Sequence, residues 1–140
     1  MSHITKIAIE INNIEALKSA CKELGFTFLE NQKTYRWYGR AVNGVPEGIN
    51  EADLGKCLHA IKVDGAEYEI GVVKLPNGKY TLLYDGWGSG RGEKLIKSVP
   101  QLTQMYGVHY TTILARQKGQ TVSRSLLYNG SIQLRIGGRF

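Results

Sequence analysis

Cysteine and proline are scarce in this chain, and long apolar runs are missing altogether. Its two cysteines, Cys21 in a helical pattern and Cys57 in a strand pattern, exclude a disulfide scaffold and lack the spacing of a metal site. Both read as small buried hydrophobes in a reducing, cytoplasmic compartment. No segment approaches the roughly 20 apolar residues that span a bilayer, and the opening Met1-Ser2-His3-Ile4-Thr5-Lys6 has no stretch of signal-peptide length, so no membrane partner is expected. Catalytic signatures are missing too: there is no Gly-x-Ser-x-Gly elbow, no interpretable Ser-His-Asp order and no Gly-x-x-x-x-Gly-Lys-Ser/Thr phosphate loop. Enzyme is therefore the weakest functional class, and no catalytic residue, metal or cofactor is expected.

What is present is glycine. Seventeen glycines against three prolines imply many tight turns between short strands. Hydrophobic residues at 42% and charged residues at 21% are globular composition, and 140 residues make one domain spanning positions 1–140. The net charge of +6 favours anionic partners.

Period-two alternation from Ile4 to Ile11 predicts a first strand. Ile14, Leu17, Cys21 and Leu24 recur at helical spacing between an Asn12/Asn13 cap and the Gly25 stop, which predicts a helix. Phe26–Glu30 and the aromatic, β-branched run Thr34–Val42 read as a hairpin. Residues 43–56 carry turn residues at both ends and read as an exposed loop insertion with at most one helical turn. Cys57–Val63, Tyr68–Leu75 and Lys79–Asp85, joined by Asp64-Gly65 and Pro76-Asn77-Gly78, form a predicted meander. A second helix is expected over Glu93–Lys118, with Leu102, Met105, Tyr106, His109 and Ile113 inward and Pro100 dividing or kinking it. Thr121–Tyr128 and Ser131–Ile136 close the chain as a hairpin around Asn129-Gly130.

The opening Met1-Ser-His-Ile-Thr5, the helix Asn13-Ile-Glu-Ala-Leu-Lys-Ser-Ala-Cys-Lys-Glu-Leu-Gly25, the segment Leu102-Thr-Gln-Met-Tyr106 with His109, and the ending Asn129-Gly-Ser-Ile-Gln-Leu-Arg-Ile136 together resemble the "hypothetical chloroplast reading frame thirty-five" family. The resemblance runs over nearly the whole chain and is most specific at the ends and in the second helix. Where that family tends to have an Asp-Trp-Trp-Gly segment, this chain has Asp85-Gly-Trp-Gly88. The resemblance implies a shared fold and a bacterial, plastid or phage origin, and brings no catalytic residues with it.

Two constellations are candidates for binding. The loop Asp85–Gly92 would aim backbone N–H groups of Gly88, Ser89 and Gly90 outward, with Arg91 and Lys94 beside them for phosphate and Trp87 to stack on a base. The plain alternative is a flexible surface loop. Separately, Arg36, Tyr38 and Arg40 share one side of their predicted strand. If Ile132, Leu134 and Ile136 face the core, then Gln133, Arg135 and Arg139 point the other way, so the sheet would present arginines interleaved with an aromatic. The alternative is a solvated face or a subunit interface.

His59 and His109 read as satisfied core histidines, Glu67 and Glu69 as the solvent face of a strand, and Asp85 as the carboxylate placed beside the glycine loop. The expected fold is α+β: an antiparallel sheet with two main helices on one face, ferredoxin-like or related, and an oligomer able to cover the other face. The expected function is a non-enzymatic binding protein, phage-encoded on the resemblance, that engages a nucleotide or nucleic acid. The alternative is an assembly subunit that forms a homo-oligomer anchored by Trp37 and Tyr38.

Overall fold

The computed structural model describes residues 2–42 and 44–138, and within them the chain is an α+β sandwich. Its order is β1 (Ile4–Lys6), α1 (Ile14–Leu24), β2 (Thr27–Leu29), β3 (His59–Lys62), β4 (Ile70–Lys74), β5 (Tyr80–Asp85), α2 (Glu93–Gln117), β6 (Thr121–Leu126) and β7 (Ile132–Gly137). Strands one to five form an antiparallel sheet in the order β1-β5-β4-β3-β2, while β6 and β7 stand apart as a two-stranded ribbon. The order departs from the expected ferredoxin-like one: β1 and β2 are the two edge strands with three strands between them rather than one, and the chain after α2 does not return to the sheet.

Both helices lie on one face of the sheet. Leu17, Ala20 and Cys21 of α1 and Leu95, Val99, Leu102 and Tyr106 of α2 pack on Ile61, Ile70, Val72, Leu82 and Tyr84. Each fully buried aliphatic side chain there stabilises the fold by about 1.5–3 kcal/mol. Helix α1 starts where the Asn13 side chain accepts from the Ala16 N–H at 2.9 Å, and it stops where Gly25 takes φ 77°. Its N-terminal approach is fixed by the Tyr106 hydroxyl, which accepts from the Asn12 N–H at 2.8 Å.

Of the two expected effects of Pro100, division does not occur: helix α2 is continuous from Glu93 to Gln117. Pro100 and Ile96 are both exposed, so the carbonyl that loses its intrahelical partner faces water. The first strand is shorter than predicted: bends at Ala8 and Ile9 interrupt it, and pairing to β5 resumes only at Ile11, opposite Tyr80.

The largest correction concerns residues 34–42, which are not a strand. Strand β2 pairs with β3, and the 33–57 segment crosses the second face of the sheet as a strap, touching itself through one bridge between Thr34 and Lys56. Buried carboxylates take the place of a partner strand. Glu69 accepts from the Arg36 N–H at 3.0 Å, and Asp85 accepts from the Tyr38 N–H at 3.0 Å. Tyr35, Ala60 and Leu83 make a second small core, with Trp37, Ile49 and Cys57 packed around it. The Tyr35 ring lies so close to Gly71 that a Cβ there would sit 2.3 Å from it.

Consequently the strap packs on this face of the sheet. Residues 44–56 are mostly exposed, as expected, with a single 3-10 turn at Glu51–Asp53, and they are pinned by buried Leu54; Asn43 lies outside the described residues. Among the described residues no helix is long and apolar enough to cross a membrane.

Candidate nucleic-acid interface

The glycine loop is built around Asp85. This carboxylate is fully buried at the end of β5; Oδ1 accepts from the His3 N–H at 3.0 Å and the Trp87 N–H at 3.1 Å, while Oδ2 takes Tyr38. It therefore ties the N-terminus, the strap and the loop to one point. Gly88 and Gly90 adopt φ 97° and 74°, and a Cβ on Gly92 would lie 1.8 Å from the Asp85 carbonyl oxygen. The loop carbonyls of Gly90 and Arg91 accept from the N–H groups of Glu67 and Tyr68, both at 3.0 Å.

The cations beside the loop are already engaged. Arg91 pairs with Glu67 at 3.5 Å, and the Lys94 ammonium donates to the Asp64 carbonyl. Trp87 meets Tyr38 edge-on, with ring centroids 6.0 Å apart. Ser89 is exposed at the loop's crest. These contacts account for the glycines, tryptophan and lysine without a ligand.

The expected basic sheet face does not assemble. Arg36 and Arg40 are exposed on the strap, Tyr38 is half-buried, and Arg135 sits on the separate ribbon. Ile132, Leu134 and Ile136 do not enter the main core, because the ribbon lies beyond the sheet; Ile136 is 48% exposed. Arg139 lies outside the described residues. Trp37 packs against Gly55 rather than standing out as an interface anchor.

Other polar residues are structural. Glu69 is buried, not on the solvent face, and also accepts from the Gln32 amide at 3.1 Å. His59 Nδ1 accepts from the Asn31 N–H at 2.9 Å, and burial holds this imidazole below its ordinary value. Burial pushes the thiols up, Cys21 to about 12 and Cys57 to about 11, which disfavours the thiolate form at both. Among the described residues no group of three His, Cys, Asp or Glu could hold a metal ion. A cleft of about 810 Å³ runs along the Ile4–Glu10 bend beneath Val45 and Pro46, away from the glycine loop.

The closing hairpin forms as expected, but the residue patterns do not show that it stands apart from the main sheet as a two-stranded ribbon. Its register pairs Ser123 with Arg135 and Ser125 with Gln133 on one face, and Val122 with Ile136, Arg124 with Leu134 and Leu126 with Ile132 on the other. The second face turns toward the helices. There Arg124 forms a two-pronged pair with Glu23 of α1, Nη1 to Oε2 at 2.7 Å and Nη2 to Oε1 at 3.0 Å, and His109 of α2 approaches the same carboxylate at 2.8 Å. The Arg124 guanidinium holds the Glu23 carboxyl below its ordinary 4.5.

The first face, with Thr121, Ser123, Ser125, Gln133 and Arg135, is exposed throughout. At the tip Leu126 is 77% and Tyr128 103% exposed. A signal in the sequence marks this region. Positions 94–140 hold seven of the 18 Lys and Arg residues and no Asp or Glu, whereas positions 1–93 hold eleven basic and all twelve acidic residues. The excess positive charge thus belongs wholly to α2 and the ribbon, which a chain-wide total conceals.

Fold and surface together define a two-layer α+β fold with a separate β-ribbon, in a stretch, 94–140, that holds no Asp or Glu. No family model, curated protein or solved structure matches the chain.

Proposed function

We propose that this chain is a non-enzymatic nucleic-acid-binding protein and that the β6–β7 ribbon, rather than the glycine loop, is its contact element. The observation that carries this reading is a fully exposed ribbon face of hydroxyl, amide and guanidinium groups in a stretch of chain without a carboxylate. Hydroxyls and amides bond phosphate oxygens or bases, and guanidinium neutralises phosphate. Exposed Arg116 and Lys118, at the end of α2, flank the ribbon's root. Membership of the resembled family, a bacterial, plastid or phage source and a cytoplasmic setting belong to the same proposal.

The test is fluorescence anisotropy of labelled random-sequence nucleic acid with the full chain at two salt concentrations. If Arg116 and Lys118 neutralise about two phosphates, affinity falls about 12-fold when salt rises about fourfold. Salt-insensitive binding, or none, rejects the proposal.

A second reading is self-assembly, favoured by the exposure of Leu114, Leu126 and Ile136 at 40%, 77% and 48%. It predicts a stable oligomer in native mass spectrometry that dissociates on Leu126→Ser; a monomer at assay concentrations rejects it.

A further inference from the structure

We infer, building on the nucleic-acid reading, that the ligand is duplex DNA and that the ribbon enters its major groove with the Ser123–Arg135 face toward the bases. A two-stranded ribbon has the right width: its strands lie about 4.8 Å apart, and the groove is about 12 Å wide. Six residues per strand extend about 20 Å, enough to follow five or six base pairs at about 3.4 Å each.

Only one face is available for this. On the other, Arg124 is held by Glu23, and Val122 and Leu134 are half-buried. On the available face, two long side chains from β7 stand opposite two short ones from β6: Arg135 opposite Ser123, and Gln133 opposite Ser125. The short hydroxyls leave the groove floor to the long side chains.

Arginine's fork matches the N7 and O6 acceptors of guanine, and glutamine's amide matches the N7 acceptor and N6 donor of adenine. Residues two apart on a strand are separated by about 6.8 Å, or about two base-pair steps. The geometry therefore assigns Arg135 to a G·C pair and Gln133 to an A·T pair about two steps away. The groove also meets the charge requirement, because it is walled by phosphates while positions 94–140 carry no acid. Duplex RNA does not offer the same site, since its major groove is too deep and narrow for side chains to read.

The experiment retains a random 20-base-pair duplex pool, a length of about two helical turns, on the full chain and sequences the bound fraction. Competition anisotropy against single-stranded DNA and duplex RNA accompanies it. Retained duplexes should be enriched in the G·C and A·T pairs at that spacing, and duplex DNA should outcompete the other two. Arg135→Lys should keep the salt dependence while losing discrimination at the G·C position on the order of tenfold, and Gln133→Ala should relax the A·T position alone. Both side chains are exposed, so unchanged circular dichroism is expected. Salt-sensitive binding with equal affinity for all three nucleic acids, or with a preference that neither variant alters, overturns the groove assignment and leaves the broader reading standing. Failure to bind any of the three overturns both.

Discussion

Removing the Asp85 carboxylate should cost more stability than any other single change at the polar sites. Three backbone N–H groups, from His3, Tyr38 and Trp87, converge on it at 3.0, 3.0 and 3.1 Å in a fully buried position. A hydrogen bond to a charged group contributes about 1.5–3 kcal/mol, and an orphaned buried N–H costs about 1–3 kcal/mol. Asp85→Ala should therefore lose about 5 kcal/mol, against a total stability of about 5–15 kcal/mol for a domain of this kind. Asp85→Asn keeps one oxygen for His3 and Trp87 but turns an amide N–H₂ toward the Tyr38 N–H, so about 2 kcal/mol is expected. The assay is urea unfolding at neutral pH followed by tryptophan emission, because Trp87 is bonded at this point and Trp37 lies on the strap it anchors. With a slope of about 2 kcal/mol per molar urea, the Asn variant's midpoint falls by about 1 M and the Ala variant's by about 2.5 M. An Ala variant within about 0.3 M of the parent, or an Asn variant as weak as Ala, would refute the clamp.

Two further outcomes follow from the same contacts. Gly92→Ala should unfold the chain or destabilise it severely, since its Cβ would meet the Asp85 carbonyl carbon and oxygen, whereas Gly107→Ala, inside α2 with nothing within 4 Å, should gain about 1 kcal/mol; opposite shifts in thermal midpoint are the readout. Acid should loosen the ribbon before the core. The folded Glu23 carboxyl lies below its ordinary 4.5, so its contribution is complete above that value and is lost as pH falls through the lower folded value. Amide exchange across Thr121–Leu126 and Ile132–Gly137, corrected for intrinsic rates, should rise in that window relative to β4 and β5. Glu23→Gln should loosen the ribbon at neutral pH and abolish the acid-dependent change; a ribbon with unchanged protection in either case removes the latch from the account.

The parts of the fold legible in the sequence are those whose determinants are local. Asn13 and Gly25 bracket α1, Asp64-Gly65 and Pro76-Asn77-Gly78 turn the meander, and Asn129-Gly130 turns the ribbon, each within a few residues of what it controls. Residues 34–42 have strand composition, but their backbone N–H groups are met by scattered partners, the Gly55 carbonyl for Tyr35, the Glu69 carboxylate for Arg36, the Asp85 carboxylate for Tyr38 and the Ser2 hydroxyl for Val42. No local pattern announces such partners, and burial inverts the reading of Glu69, which alternation alone assigns to solvent. The glycine loop reads two ways for a related reason. Its glycines satisfy positive φ at Gly88 and Gly90 and close packing at Gly92, which looks identical in sequence to a loop shaped for phosphate. The partition of charge, by contrast, was visible, and only the habit of summing over the whole chain hid it.

That partition explains why an isolated ribbon persists at all. A two-stranded hairpin alone is marginal in water, so this one must draw its order from its root. There Val122 and Leu134 are half-buried, and the Glu23–Arg124 pair joins β6 to α1. Beyond that root none of the described residues covers Leu126 or Tyr128, although leaving large side chains in water forgoes burial free energy. Fold stability therefore gives no reason for the ribbon's outer half to be apolar at its tip, hydroxylated along one face and free of acid. The proposed nucleic-acid partner would give one for the polar face, which it would meet with its phosphates and bases, leaving the sheet, the strap and the Asp85 clamp untouched. Binding and folding would then depend on separate residues, Gln133 and Arg135 for the first, Asp85 and Gly92 for the second.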